Sequence, residues 1–287
     1  MEAIELLKKV RRIEIKTRGL TRHIFAGEYH SAFKGRGIAF SEVREYQYGD
    51  DIRSIDWNVT ARFNHPYVKI YEEERELTVM LLIDVSGSGA FGSSKGFKQE
   101  IITEIAAVLS FSAIFNNDKI GVIFFSDRVE KFIPPKKGRK HILRIIRELL
   151  DFKPESTTTN LDEPLRFLTS AIKKRCTAFL ISDFMAPSFE EPMRIASNKH
   201  DIVALKIYDP LEKSLPDVGM MKVVDAESGI EKWIDSSSSS VRKEYEKWWE
   251  EHIMLIKNIF LKCGIDSTDI STDEDYVKPL MKLFKSR

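Results

Sequence analysis

Cysteine is nearly absent: 287 residues carry only two, Cys176 and Cys263. They stand far apart, in no CxxC and no Cys/His cluster. That excludes a disulfide framework and a thiolate metal site, and it predicts reduced thiols. Long hydrophobic runs are missing too. No stretch approaches the roughly 18 apolar residues of a membrane span, and the opening MEAIELLKKVRRIEIKTRG lacks the continuous apolar core of a signal peptide. A cytoplasmic chain with no direct membrane insertion is expected. An excess of one charge is also lacking, because 45 basic and 44 acidic residues leave a net +1. No global field therefore draws nucleic acid or an acidic surface. The phosphate-loop spacing GxxxxGK[ST] is absent; the glycines at 35 and 37 sit in a KGRG turn that no buried strand enters.

What is present is a 43% hydrophobic fraction, enough for a sizeable core in one large domain or two modest ones. Residues 2–16 place Ile4, Leu7, Val10 and Ile13 on one stripe of a helix whose other face is basic. From Gly27 to Glu76, arginines, aspartates and aromatics interleave with no sustained helical or strand period. Bidentate pairs of Arg44, Arg53 or Arg62 with Asp50, Asp51 or Asp56 are expected to hold that block, with Tyr67–Tyr71 as an edge strand.

Beyond residue 77 the texture is regular. Buried strands are predicted at 79–83, 119–125, 128–135, 177–182 and 201–208, and helices at 97–115, 140–150, 162–174 and 190–199. Strands alternating with helices of this length describe a doubly wound α/β fold, a mostly parallel sheet covered on both faces. Residues 221–235 read as two short strands at the sheet's edge. The serine run 236–240 reads as the N-cap of a helix over 241–262, and 263–287 as a polar tail ending in a short amphipathic helix. The organisation expected is an extension over 1–76 packed on the main domain, the main domain over 77–262, and the tail over 263–287.

The chemistry concentrates at Met80 to Ala90, MLLIDVSGSGA. A buried strand ends in Asp84, and Ser86 and Ser88 follow at two-residue steps, so both hydroxyls can turn to one point while Val85 faces away. A second loop offers Thr157, Thr158 and Thr159, and a third carries Asp183 directly after a strand. In open α/β sheets such carboxyl-end loops form the ligand crevice. Hard oxygen donors with few carboxylates suit Mg²⁺. The site would retain positive character and attract one more anionic oxygen, and no histidine or cysteine flanks it to serve as a general base.

IDVSGSG, TTTNLDEPL and FLISDF, in this order, resemble the metal-ion-dependent adhesion site of von Willebrand factor A domains. The upstream GRGIAFSEVREYQYGDDIRSIDWNVTARF resembles the Arg/Asp-rich block of DUF58 proteins, and the two likenesses together cover almost the whole chain. The resemblance implies a Rossmann-like fold and the metal ligands Asp84, Ser86, Ser88, Thr159 and Asp183. It also implies Mg²⁺ (or Mn²⁺/Ca²⁺) as the ion, and a non-enzymatic interaction module that takes an Asp or Glu of a protein partner. That partner would be a MoxR-type AAA+ ATPase or its client. The family's GGT is TTT here, which stiffens the second loop, and the Met that often follows DxSxS is Gly89.

Three other readings compete. A metal-dependent phosphohydrolase would use Asp84 as nucleophile, but the second carboxylate that such sites place two residues on is Ser86. A metal-free scaffold would use the serines only to cap the following helix. Nucleic-acid binding would fall to the basic cluster at 136–140, which lacks interleaved aromatics for stacking.

Overall fold

The computed structural model describes residues 11–14, 37–74, 77–87, 92–93, 96–186, 189–224 and 230–287. Two compact units are present, Lys34–Leu77 and a larger one that takes in Thr78–Arg287. Of the N-terminal helix expected over 2–16, residues 11–14 are described and helical; the rest lies outside the described residues, as does most of the KGRG turn.

In the smaller unit, β1 (Gly37–Glu45) pairs antiparallel with β2 (Tyr67–Glu74), and α1 (Trp57–Phe63) lies between them in sequence. Paired strands thus stand in a block whose sequence shows no sustained strand period; the edge strand expected at Tyr67–Tyr71 is part of β2, and β1 was not anticipated. The register shifts between Phe40 and Glu42, which breaks the alternation of faces that a period-two pattern needs. Arg44 clasps Asp50 with both arms of its guanidinium at 2.8 Å, one of the expected bidentate pairs. Asp51 and Asp56 act otherwise. Each accepts backbone N–H groups at the start of a helical turn, from Arg53 at 2.9 Å and from Asn58 and Val59 at 2.9 and 3.2 Å.

The larger unit contains, in chain order, β3 (Thr78–Asp84), α2 (Lys98–Phe115), β4 (Lys119–Phe125) and β5 (Val129–Lys136). Next come α3 (Arg139–Asp151), α4 (Asp162–Ala171), β6 (Thr177–Ser182), α5 (Glu190–Lys199) and β7 (Asp201–Tyr208). The single turn α6 (Pro210–Lys213), the hairpin β8 (Met220–Val224) and β9 (Glu231–Asp235), α7 (Ser239–Lys262), β10 (Asp266–Ser271) and α8 (Val277–Lys285) complete it.

Six strands form the central sheet in the order β10-β7-β6-β3-β4-β5, parallel except for the β4–β5 pair. Counted along the sheet's own strands this is the 3-2-1-4-5-6 order of a doubly wound fold, with its switch point between β3 and β6. The strands read as unbroken apolar runs because both faces are covered. On one face Met80, Leu82, Leu180 and Ala204 pack with Leu165 of α4, Met193 of α5 and Ile256 of α7. On the other, α2 lies against β3 and β4, and Phe284 of α8 meets Phe179 with ring centroids 6.4 Å apart. Gly121 interrupts the apolar run of β4 for a steric reason: a Cβ there would stand 2.8 Å from the Ile133 carbonyl oxygen.

Four expectations need correction. The tail after 262 supplies β10, the edge strand; its sequence DSTDIS is polar because four of its six residues are not buried. The 220–235 hairpin is a two-stranded sheet of its own rather than part of the main sheet's edge. Ser238 takes the N-cap position of α7 but makes no side-chain cap hydrogen bond, and α4 ends at Ala171, short of Lys174. No described helix is long and apolar enough to cross a membrane.

Candidate functional site

The switch point between β3 and β6 brings Asp84 to the last position of one strand and Asp183 to the residue after the other. Both carboxylates are buried, as are Ser86 and Thr159. The loop after β3 bends back at once: the Ser86 N–H donates to Asp84 Oδ1 at 3.0 Å. The Gly87 N–H then donates to the Thr157 carbonyl at 2.9 Å, docking this loop on the one that precedes α4. Across that junction Thr159 Oγ1 donates to Ser86 Oγ at 2.8 Å. Thr158 turns instead to Ser156 at 3.1 Å, and Thr157 is exposed. Thr159 is thus the threonine whose hydroxyl meets the serine. Ser88 lies outside the described residues.

Ser182, the last residue of β6, donates its hydroxyl to Asp84 Oδ2 at 2.6 Å and accepts the Phe184 N–H at 3.0 Å. Phe184 adopts a left-handed backbone, φ 60°, although it carries a bulky side chain. Packing holds it there, with the Phe260 ring edge-on at 5.0 Å and the Phe189 ring at 5.9 Å. The strained turn fixes the direction of Asp183, whose Oδ1 accepts the Met185 N–H at 3.1 Å.

Sequence reasoning missed Lys98. It opens α2, is 1% exposed, and places its ammonium 3.2 Å from Asp183 Oδ2 and 2.5 Å from Glu212 Oε1. Glu212 is held by the capping box of α6, where its other oxygen accepts the Asp209 N–H at 2.9 Å and Asp209 Oδ1 accepts the Leu211 N–H at 2.9 Å. Thr272, just past β10, donates to Asp209 Oδ2 at 2.6 Å. One signal for the lysine was legible: a cation in the first turn of a helix opposes the macrodipole and needs a local reason.

The electrostatics follow from burial. Removal from water pushes the Asp84 carboxyl up to about 6, and the Asp183 charge acts in the same direction. Burial also opposes the charge on Lys98, but Asp183 and Glu212 outweigh it and hold its pKa above the usual lysine value. Burial raises Glu212 in turn, with Lys98 pulling it back. The pocket is a pair of buried carboxylates partly neutralised from inside.

No cluster of three or more His, Cys, Asp or Glu side chains suited to a metal occurs among the described residues. The donor set here is of another kind, two carboxylates with two hydroxyls. In an octahedral Mg²⁺ shell with bonds of about 2.1 Å, neighbouring oxygens stand roughly 3 Å apart. Ser86 Oγ and Thr159 Oγ1, at 2.8 Å, already have that separation. The Asp84 oxygens keep lone pairs beyond the hydrogen bonds they accept, so these residues fit a small hard cation.

The sequence profile of the family described as "Protein of unknown function DUF58" matches residues 42–254. The chain is 27% identical over 286 residues to the uncharacterized protein Rv1480 of Mycobacterium tuberculosis, covering 99% of this chain and 90% of that one. An aerotolerance-related membrane protein of Bacteroides fragilis shares the fold, with a TM-score of 0.50 at 14% identity over 73% of this chain and 97% of that one. The VWA domain of SpRpn10 aligns over 74% of this chain and 95% of its own, with a TM-score of 0.42 at 12% identity.

Proposed function

The chain belongs to the DUF58 family, and from that membership together with the geometry of the switch point we infer a non-enzymatic protein-interaction module. Its von Willebrand factor A-like domain holds a divalent cation, Mg²⁺ before Mn²⁺ or Ca²⁺, through Asp84, Ser86, Ser88, Thr159 and Asp183. The bound ion supplies a positive point at the sheet's end that an Asp or Glu of a partner can complete. The observation that carries this reading is the meeting of Ser86 and Thr159 hydroxyls from separate loops beside two buried carboxylates. Buried carboxylates this close disfavour each other's charge and gain from a cation.

The same geometry counts against the other readings. Both Asp84 oxygens already accept hydrogen bonds, from Ser86 N–H and the Ser182 hydroxyl, an arrangement that orients a ligand rather than frees a nucleophile. The Ser86 hydroxyl accepts from Thr159 of a separate loop, a contact that helix capping alone does not call for. We place the chain in the cytoplasm, with a MoxR-type AAA+ ATPase or its client as partner, on the resemblance of its motifs.

Calorimetric titration with Mg²⁺ should give saturable heat for the wild type and none for Asp84→Ala. Affinity purification from the native cell should recover a partner with the wild type in Mg²⁺, and lose it with Asp84→Ala or in EDTA. A partner retained under all three conditions overturns the cation-bridged reading, and flat heats in the wild type overturn the metal site itself.

A further inference from the structure

Along β7 the alternate residues Ile202, Ala204, Lys206 and Tyr208 share a face. The first two join the apolar core with Ile256 and Ile259 of α7. The next two instead border a cavity of about 390 Å³ between α7 and the β7–β10 edge, lined also by Trp249, Ile253, Lys213 and Asp269. That volume lies at the small end of ligand pockets.

Lys206 is 4% exposed, yet its charge is poorly met. Its ammonium stands 5.0 Å from the Tyr208 ring centre and 5.4 Å from that of Trp249. Its ion pair with Asp269 spans 3.8 Å, beyond hydrogen-bond reach, and Asp269 also serves Lys257 at 3.6 Å. Among the described residues the ammonium meets no hydrogen-bond acceptor, although a buried lysine normally has one. With Lys213 and Glu250, which also line the cavity, the three lysines Lys206, Lys213 and Lys257 stand against the two carboxylates Asp269 and Glu250 and leave a net positive charge.

We propose that this cavity binds a small aromatic anion, a carboxylate or phosphate monoester whose charged group meets the Lys206 ammonium and whose ring lies against Tyr208 and Trp249. An aromatic cation is not the match, because the two rings already face an internal ammonium. Burial lowers the Lys206 pKa and Asp269 only partly offsets this, so an anion would supply the partner the fold omits.

The test is calorimetric titration of the full chain with benzoate and phenyl phosphate, and with benzamide and acetate as the neutral-ring and ringless controls. Saturable binding of the aromatic anions is expected, with benzamide and acetate weaker by about tenfold to a hundredfold. Lys206→Met should lose a similar factor. Equal binding of benzamide and benzoate, undiminished binding by Lys206→Met, or no saturable binding at millimolar concentration overturns the proposal. Should Lys206→Met fail to fold, Met254→Trp, at an exposed position of the cavity wall, blocks the cavity without touching the lysine. It must then weaken benzoate binding while the thermal midpoint is kept; benzoate binding as in the wild type overturns the proposal.

Discussion

Lys98 and Lys206 are both buried lysines of one domain, 1% and 4% exposed, and their surroundings are opposite. Lys98 sits between Asp183 at 3.2 Å and Glu212 at 2.5 Å, and its pKa is raised. Lys206 has one long ion pair and two aromatic rings, and its pKa is lowered. The first is a cation that two carboxylates need; the second is a cation with donors to spare. Burial alone therefore does not tell a structural charge from a ligand-binding one. The count of short contacts does.

The largest effect should come from Lys98→Met. Removing one partner of a buried pair strands the others, at a cost of about 3–5 kcal/mol in denaturant unfolding. Mg²⁺ should restore part of it, because an ion at Asp183 replaces the lost ammonium. A loss below about 1 kcal/mol would erase the contrast between the two lysines.

A somewhat smaller effect concerns pH. The Asp84 pKa is raised from 3.8 to about 6 in the folded, cation-free protein. The stabilisation linked to its protonation is full below about pH 4 and is lost as pH rises through about 6, a change of about 3 kcal/mol. Mg²⁺ requires the ionised form, so the rise in thermal midpoint that it causes should be largest above pH 6 and fade in acid. Asp84→Asn should flatten both dependences; a Mg²⁺ effect that survives in this variant argues against Asp84 as a ligand.

Thr159→Val should cost roughly 1 kcal/mol through loss of its hydrogen bond to Ser86 and weaken Mg²⁺ binding, whereas Thr158→Val should leave Mg²⁺ binding unchanged. The reverse order would move the ligand to the neighbouring threonine. Least of all should change on Lys206→Met: stability within about 1 kcal/mol of wild type, or higher, by unfolding in urea, since a poorly paired buried charge contributes little. A loss as large as that of Lys98→Met would make Lys206 a structural lysine after all.

The central sheet was legible because both faces of it are buried, which leaves unbroken runs such as KIGVIFF and TAFLIS. β1 was hidden by its shift in register, and β10 by its place at the edge, where Asp266, Ser267 and Asp269 face solvent. At the candidate site, the grouping of Asp84, Ser86, Thr159 and Asp183 could be anticipated because each ends or follows a strand or lies in the loop before a helix on the same rim. Ser182 was passed over because it closes the apolar run TAFLIS and reads as part of the strand. Lys98 and Glu212 are 85 and 29 residues from Asp183, and no local pattern links a lysine to carboxylates at such separations.

The hydrogen bond from Thr272 to Asp209 gives the last segment a role that its sequence conceals. Asp209 caps the turn that presents Glu212, Glu212 steadies Lys98, and Lys98 steadies Asp183. The segment after Lys262 thus acts as a clasp on that relay: a chain cut there keeps every proposed ligand of the cation and loses the hydroxyl that holds the relay's far end.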